Sequence, residues 1–296
     1  MIWVTWRQHR TQAVICAGLL GAITIVAVAL GVWMRSTFSS DGLAGCLASS
    51  GGAGCPAAIS SFTSEFNGGA TMPLILVLFV IPGFLGAVVG APLLGQELER
   101  GTWRLAWSQT VPRTRWLVSK LALVTGGLVV FGVAVTLITT WSRAPLDRVS
   151  IRLQPPPFNF EGLSLTCSLL CAFGLAVLAG LLLRNTIGAM VAGYFAWEVP
   201  FLVVTLLNGP LHIMTATARM PCQAGCPDAS THSVPPVTGN LGDLVLDVTR
   251  SGNQMIVSYL PASRFWTLQL IEGGLYLAIA VAALGTAVWL LHRRTT

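Results

Sequence analysis

Six long apolar runs decide what this chain can fold into. Each has about 20 residues or more, which is enough for a helix to cross about 30 Å of hydrocarbon. Backbone groups inside a bilayer must be hydrogen-bonded within their own segment, so the runs predict helices. The predicted spans are Ala13–Trp33, Met72–Leu94, Leu117–Trp141, Leu163–Leu183, Ile187–Leu207 and Phe265–Leu291. The chain is therefore predicted to be an all-α integral membrane protein, with one transmembrane domain over residues 1–296.

The composition agrees with this class of protein. The chain is 54% hydrophobic and 9% charged, whereas globular proteins average about 25% charged residues. Its net charge of +6 comes from basic residues that flank the spans. That pattern sets the orientation of a membrane protein and is not the basic stripe that binds nucleic acid. We expect no nucleic-acid partner.

The charge of the connecting segments predicts the orientation. Six spans place both termini on one side, which receives ten basic and two acidic residues, against seven of each on the other. The ten are Arg7, Arg10, Arg100, Arg104, Arg113, Arg115, Lys120, Arg184, Arg293 and Arg294, and the two are Glu97 and Glu99. The positive-inside rule then predicts a protein of the cell membrane with cytoplasmic termini.

Four cysteines lie in the two loops assigned to the outside, namely Cys46, Cys55, Cys222 and Cys226. An even set on the oxidising side indicates disulfides. Local closure of Cys46 with Cys55 and of Cys222 with Cys226 is the first expectation. Linkage between the two loops, four unpaired thiols, and a metal site of Cys222, Cys226 and His232 remain alternatives. Our prediction for metal is none.

Two outer loops differ in character. The Gly/Ser/Ala-rich segment Ser36–Thr71 predicts a flexible loop. Residues 208–264 are longer and include the regular stretch LGDLVLDVTR, which favours a small ordered cap.

Neither an energy source nor an enzyme site is evident in the sequence. It contains no G-x-x-x-x-G-K-[ST] phosphate loop, no metal-ligand spacing of histidines and no nucleophile elbow. We therefore predict no enzymatic activity in this chain. Two intramembrane acids, Glu198 and Glu272, are functional candidates. The alternative is that they hydrogen-bond between helices or reach the outer interface.

Tryptophan and arginine accompany each other near the N-terminus and after the second span. Trp3, Trp6, Arg7 and Arg10 predict an interfacial helix over residues 1–12, either as an anchor or as a contact for a cytoplasmic partner. The segment Ala91–Leu117 holds two acids, Gly101 and the pair Trp103 and Trp107, four residues apart on one helix face. It is either an ordinary positive-inside connection or a docking surface.

Glycines in spans two and three predict close helix packing. Gly86 and Gly90 form a G-x-x-x-G pair in span two, and Gly126, Gly127 and Gly132 lie in span three. A substrate path is the alternative to packing at these positions.

Three segments carry a family resemblance: the start WVTWRQHR, the loop APLLGQELERGTWRLAWSQTVPRTRWL, and YLPASRFWTLQLIEGGLYLAIA, which leads into span six. In these segments and in its six-span layout the chain resembles the permease subunit of a type-2 ABC exporter, in the branch common in actinobacteria. The long loop between spans five and six, with Cys222 and Cys226, departs from the short form usual in that family.

The resemblance implies partners and a mechanism. Two permease subunits, identical or related, would work in the lipid membrane with two copies of a cytoplasmic ABC ATPase. ATP and Mg²⁺ would be bound by that ATPase, and no cofactor is expected in this chain. A coupling helix near Glu97–Gln109 would dock on the ATPase, with the interfacial helix as a second contact. The implied contacts are Glu97, Glu99, Gly101, Thr102, Trp103, Arg104 and Trp107.

The implied activity is ATP-driven export by alternating access. The substrate class would be amphipathic or hydrophobic: a drug, an antibiotic, a peptide or a lipid. Its path would lie at the permease dimer interface, between spans two and five. The alternative is a non-transport sensor or immunity component whose outer loop binds a ligand.

Overall fold

Six long helices, named here spans one to six, form the body of the protein. The computed structural model describes residues 2–48, 55–99, 113–153, 157–207, 215–221, 243–251 and 254–293. The spans are Ile2–Ser40, Met72–Glu99, Arg113–Arg143, Ser164–Leu183, Thr186–Leu207 and Phe265–Arg293. All six are long and apolar enough to cross a membrane, which confirms the prediction of six membrane-spanning helices. The end that carries the start of span one is called the terminal end, and the opposite end the distal end.

The predicted interfacial helix is part of a longer element. Residues from Ile2 onward are helical and continue without a break to Ser40, over 39 residues. At about 1.5 Å per residue this helix is about 58 Å long, well beyond the hydrocarbon thickness. No glycine or proline interrupts the junction at RTQA. The side chains of Trp3, Trp6 and Arg7 lie outside the described part, and their contact with the membrane surface stays a prediction.

Span four is the centre of the bundle. Fourteen of its 20 residues are buried, whereas the apolar part of span one is 11% buried and that of span five 17%. Span two packs against span four through small residues. A Cβ at Gly86 would lie 2.7 Å from the Phe173 amide nitrogen, and one at Gly90 would lie 2.7 Å from the Phe173 carbonyl oxygen. The G-x-x-x-G pair therefore closes a helix contact, as predicted.

The glycines of span three behave differently from one another. A Cβ at Gly132 would lie 2.7 Å from Thr166 Oγ1, so this glycine does permit close packing. At Gly126 and Gly127 the space beyond the backbone is open within 4 Å. The prediction of close packing is wrong for these two, because no neighbouring helix among the described residues comes into contact with them.

The segment between spans one and two is helical, so the prediction of a flexible loop is wrong for its described residues. Helices cover Leu43–Ala48 and Cys55–Ser64, followed by a π-helical turn at Glu65–Gly69. Phe62 and Phe66 pack with Met34 and Phe38 of span one in a buried cluster. The apolar residues among the Gly and Ser decide the outcome, because together they bury a small core.

A disulfide closes the same segment. Cys46 and Cys55 are bonded, with their Cα atoms 5.5 Å apart, which confirms the predicted pairing. Cys222 and Cys226 lie outside the described residues.

A three-stranded antiparallel sheet stands in the predicted cap over residues 208–264. Its strands are β1 (Ala216–Pro221), β2 (Leu244–Ser251) and β3 (Gln254–Leu260), in the order β1-β3-β2. Leu260 packs with Leu153, Phe158 and the first residues of span six. The Asp243 carboxylate also accepts a hydrogen bond of 3.0 Å from the Ala262 amide. The sheet is thereby attached to the distal end of the bundle.

Candidate functional site

Four charged side chains, named here the distal charge cluster, lie at the end of span three and in the loop that follows. They are Arg143, Asp147, Arg152 and Glu161. Glu161 is fully buried and accepts hydrogen bonds from Arg143 Nε at 3.2 Å and from Arg152 Nη2 at 2.8 Å. Asp147 lies 3.5 Å from Arg152 Nε. Two basic and two acidic side chains thus face each other in a largely buried site. A buried charge that is left without a partner is costly.

The cluster is tied to span six and is sensitive to pH. The Arg152 guanidinium stands over the Phe265 ring, 4.5 Å from its centroid. Burial, with the nearby Glu161 carboxylate, raises the pKa of Asp147 from 3.8 to about 7, although both arginines oppose the shift. Proton uptake by Asp147 near neutral pH would therefore change the charge of the joint between spans three, four and six.

Gln269 of span six joins the same region to the start of span four. Its Oε1 accepts hydrogen bonds from the amides of Leu163, at 3.1 Å, and Ser164, at 2.9 Å. Its Nε2 donates to the Phe158 carbonyl at 2.7 Å. The first amides of a helix have no partner within the helix, so a side chain from another span completes span four. Spans four and six are consequently joined at the distal end by polar bonds as well as by packing.

The two intramembrane acids have different surroundings. Glu272 is buried and lines a small cavity in the distal half, together with Ser164, Ser168, Trp197 and Tyr276. Trp197 Nε1 donates a hydrogen bond of 2.9 Å to Ser168 Oγ across that cavity. Glu198 is half-buried on span five and is not among the residues that line the cavity. Of the two candidates, Glu272 occupies the interior position.

At the terminal end, span two is bonded to the turn between spans four and five. Glu99 Oε2 accepts hydrogen bonds from the Thr186 amide, at 3.0 Å, and from Thr186 Oγ1, at 2.7 Å. Asn185 Oδ1 accepts a further bond from the Gly188 amide at 2.9 Å. An acidic side chain at a helix N-terminus is stabilised by the unpaired amides and by the helix dipole. This contact is named here the Glu99 junction.

The backbone geometry makes the Glu99 junction compact. Span four ends at Arg184, which has a left-handed conformation with φ of 53°. A Cβ at Gly180 would lie only 2.8 Å from the Ala91 carbonyl oxygen of span two. The last turns of spans two and four therefore pack closely beside this turn.

Some of the predicted docking contacts lie within the described residues, and the others lie outside them. Glu97 and Glu99 are in the last turn of span two, with only the Glu99 side chain described. Gly101, Thr102, Trp103, Arg104 and Trp107 lie outside the described residues. The structure adds that Glu99 is bonded within its own chain.

Metal chemistry has no candidate in the described part of the chain, where no group of three or more His, Cys, Asp or Glu residues converges. Cys222, Cys226 and His232 fall outside that part.

Six apolar helices with polar joints at both ends define a multi-pass membrane protein. Residues 17–208 match the family model described as ABC-2 membrane transporter related. The chain belongs to this family, and it is therefore a permease-type membrane subunit that works with an ABC ATPase. No curated protein and no solved structure matches the chain.

The main joints of the structure were not found from the sequence. Glu161 and Arg152 were counted only as loop charges, and Gln269 only as part of a family-like segment. A glutamine four residues into an apolar run is a signal that could have drawn attention, because an amide inside a span needs partners.

Proposed function

We propose that the chain is the membrane-spanning subunit of an ATP-driven exporter. Two copies of a cytoplasmic ABC ATPase would bind ATP and Mg²⁺ and act on a pair of permease subunits, identical or related. Both termini would be cytoplasmic, so the terminal end would face the ATPase. The family match and the basic terminal-end segments support this arrangement.

The Glu99 junction is the observation that carries the proposal. The segment proposed to dock on the ATPase, Glu97–Gln109, starts in the last turn of span two. A push on that segment reaches Thr186 through two hydrogen bonds, and from there spans four and five. Alternating access needs such a mechanical link between the energy source and the spans that rearrange.

The proposed cargo is an amphipathic or hydrophobic compound that moves outward. The spans have few ionisable side chains, and Glu272 and Glu198 are the acids that lie away from the span ends. The proposed path, between spans two and five at the dimer interface, is supported by the low burial of span five, whose apolar part is 17% buried in the single chain.

Co-purification with the cognate ABC ATPase tests the proposal. We expect a stable detergent complex for the wild-type chain and its loss on Glu97→Lys, since a reversed charge opposes docking. The matched control is Glu65→Lys, an exposed acid near the distal end, which should leave the complex intact. Failure of the wild-type chain to form any complex would refute the exporter role and favour a non-transport membrane component. Unchanged binding by Glu97→Lys would remove this segment from docking.

A further inference from the structure

A groove of about 270 Å³ lies between spans one and three in the terminal half of the bundle. Its walls are apolar and include Ala13, Cys16 and Ala17 from span one and Leu123 and Gly127 from span three. Small residues line it mainly on span one, and Gly127 is the small residue on span three. A Cβ at Gly127 would meet no atom within 4 Å. On span one the groove extends from Gln12 to Leu20, a length of about 12 Å at about 1.5 Å per residue.

One exposed cation, Arg10, stands one helical turn beyond the groove, toward the terminal end. Arg10 precedes Ala13 by three residues and Ala17 by seven, so it occupies the same stripe of span one. The groove therefore has an apolar body and a positive charge at its terminal end.

We propose that this groove binds an anionic phospholipid, with one acyl chain between spans one and three and the phosphate beside Arg10. The groove extends over less than half of the roughly 30 Å hydrocarbon thickness, so the lipid belongs to a single leaflet. The apolar walls accept any acyl chain, while the Arg10 guanidinium selects the headgroup. One interfacial cation changes the affinity for an anionic lipid by about five-fold. The site is independent of transport, and only its assignment to the inner leaflet rests on the proposed orientation.

Lipid binding to the full-length chain tests the headgroup part of the proposal. Purified protein in detergent is titrated with phosphatidylglycerol or phosphatidylcholine of identical acyl chains, and bound lipids are counted by native mass spectrometry. We expect one phosphatidylglycerol to bind about five-fold more tightly than phosphatidylcholine. Arg10→Gln should reduce this preference to about one-fold. Equal affinity of the wild-type protein for both lipids would overturn the proposal, as would an unchanged preference in Arg10→Gln.

Filling the groove tests its position. Gly127→Leu places a side chain in the groove and should weaken phosphatidylglycerol binding by about ten-fold or more, because the acyl chain loses its buried site. Gly126→Leu is the matched control: its Cβ also meets open space, but Gly126 does not line the groove. Ala17→Leu and the neighbouring control Gly18→Leu form a second pair on span one. Equal binding within both pairs would place the lipid elsewhere and overturn the assignment.

The two tests are separable from the transport role. Lipid binding is measured without the ATPase, so a chain that forms no ATPase complex could still bind phosphatidylglycerol. A chain that forms the complex but binds both lipids equally would retain the proposed function and lose this site.

Discussion

Spans two and four meet along a closed seam, whereas spans one and three separate into a groove, although both pairs carry small residues at facing positions. In the seam, a Cβ at Gly86 or Gly90 would lie within 2.7 Å of the backbone of Phe173. Spans one and three touch near the distal end, where a Cβ at Gly31 would lie 3.0 Å from the Ser142 Cα, and diverge toward Gly127. Small residues therefore permit close packing but do not impose it.

The difference follows from what holds each pair of helices at its ends. Spans two and four are packed along their length, and at the terminal end Glu99 of span two bonds Thr186, the first residue of span five, in the turn that follows span four. Spans one and three are joined near the distal end, where Arg35 donates a 2.6 Å hydrogen bond to the Trp141 carbonyl and stands 3.9 Å from its ring centroid. The first pair is in close contact along its length, and the second has its polar contact near the distal end.

Glu161→Ala is expected to have the largest effect, because span three depends on the distal charge cluster at its distal end. Removing the buried carboxylate leaves Arg143 and Arg152 without their main partner, at a cost of about 3–5 kcal/mol in the free energy of unfolding. Glu65→Ala, at an exposed acid near the same end, is the control and should be close to neutral. Thermal unfolding in detergent measures both. Similar melting temperatures for the two variants would show that packing alone holds the distal end.

Gly86→Leu and Gly127→Leu test the difference between the closed seam of spans two and four and the groove between spans one and three. The first inserts a side chain into a closed seam and should cost about 1–3 kcal/mol or more. The second enters open space and should be neutral or stabilising by about 0.5–1 kcal/mol, because glycine is a poor helix residue. Thermal unfolding of the two variants gives the sign of each effect. Destabilisation of both by the same amount would mean that the groove is closed in the protein.

The pH dependence of stability should reveal Asp147. Its pKa is raised from 3.8 to about 7 in the folded protein. The folded state therefore holds a proton that the unfolded state has lost between these values, and this contribution to stability falls as the pH rises from about 4 to about 7. The melting temperature of the wild type, relative to Asp147→Asn, should fall through that window and stay level above it. A constant difference from pH 4 to 8 would contradict the burial of Asp147.

Arg35→Gln should have the smallest effect on stability, about 1 kcal/mol, because the cation–π contact and the hydrogen bond to Trp141 that it removes are exposed. The substitution should also widen the groove, because spans one and three would lose the Arg35–Trp141 contact at their distal end. Cys16 lines the groove and is half-buried, so its maleimide labelling should become faster. An unchanged labelling rate would show that the width of the groove does not depend on the Arg35–Trp141 contact.

The bundle was largely predictable from the sequence, because the requirement for hydrogen-bonded backbone in lipid acts within each segment. The six spans and the Cys46–Cys55 closure, only nine residues apart, are features of this local kind. Gly86 and Gly127 look alike in sequence, and only the placement of the neighbouring helix distinguishes them. The sequence shows which small residues would permit close helix packing, but it does not show whether a neighbouring helix lies against them.

The hydrogen bonds that join the spans could not be predicted from the sequence, because their partners are far apart in the chain. Glu99 and Thr186 are 87 positions apart, and Gln269 lies 105 positions from Ser164. Each residue has an ordinary alternative role when considered alone, as a docking contact or as a polar residue within a span. The helices between Leu43 and Ser64 were also missed, because glycine and serine in that segment outweighed the few aromatic residues that form its core.

ATP hydrolysis by the complex with the ABC ATPase, reconstituted in lipid vesicles, tests the Glu99 junction most directly. Thr186→Val removes the hydroxyl that bonds Glu99 and keeps the shape of the side chain, while Thr186→Ser restores the hydroxyl. The account predicts that Thr186→Val still assembles with the ATPase but has weaker coupling between the ATPase and the spans, since only the bond from the Thr186 amide remains, and that Thr186→Ser regains it. Wild-type coupling in Thr186→Val would contradict the claim that this junction carries the motion into spans four and five.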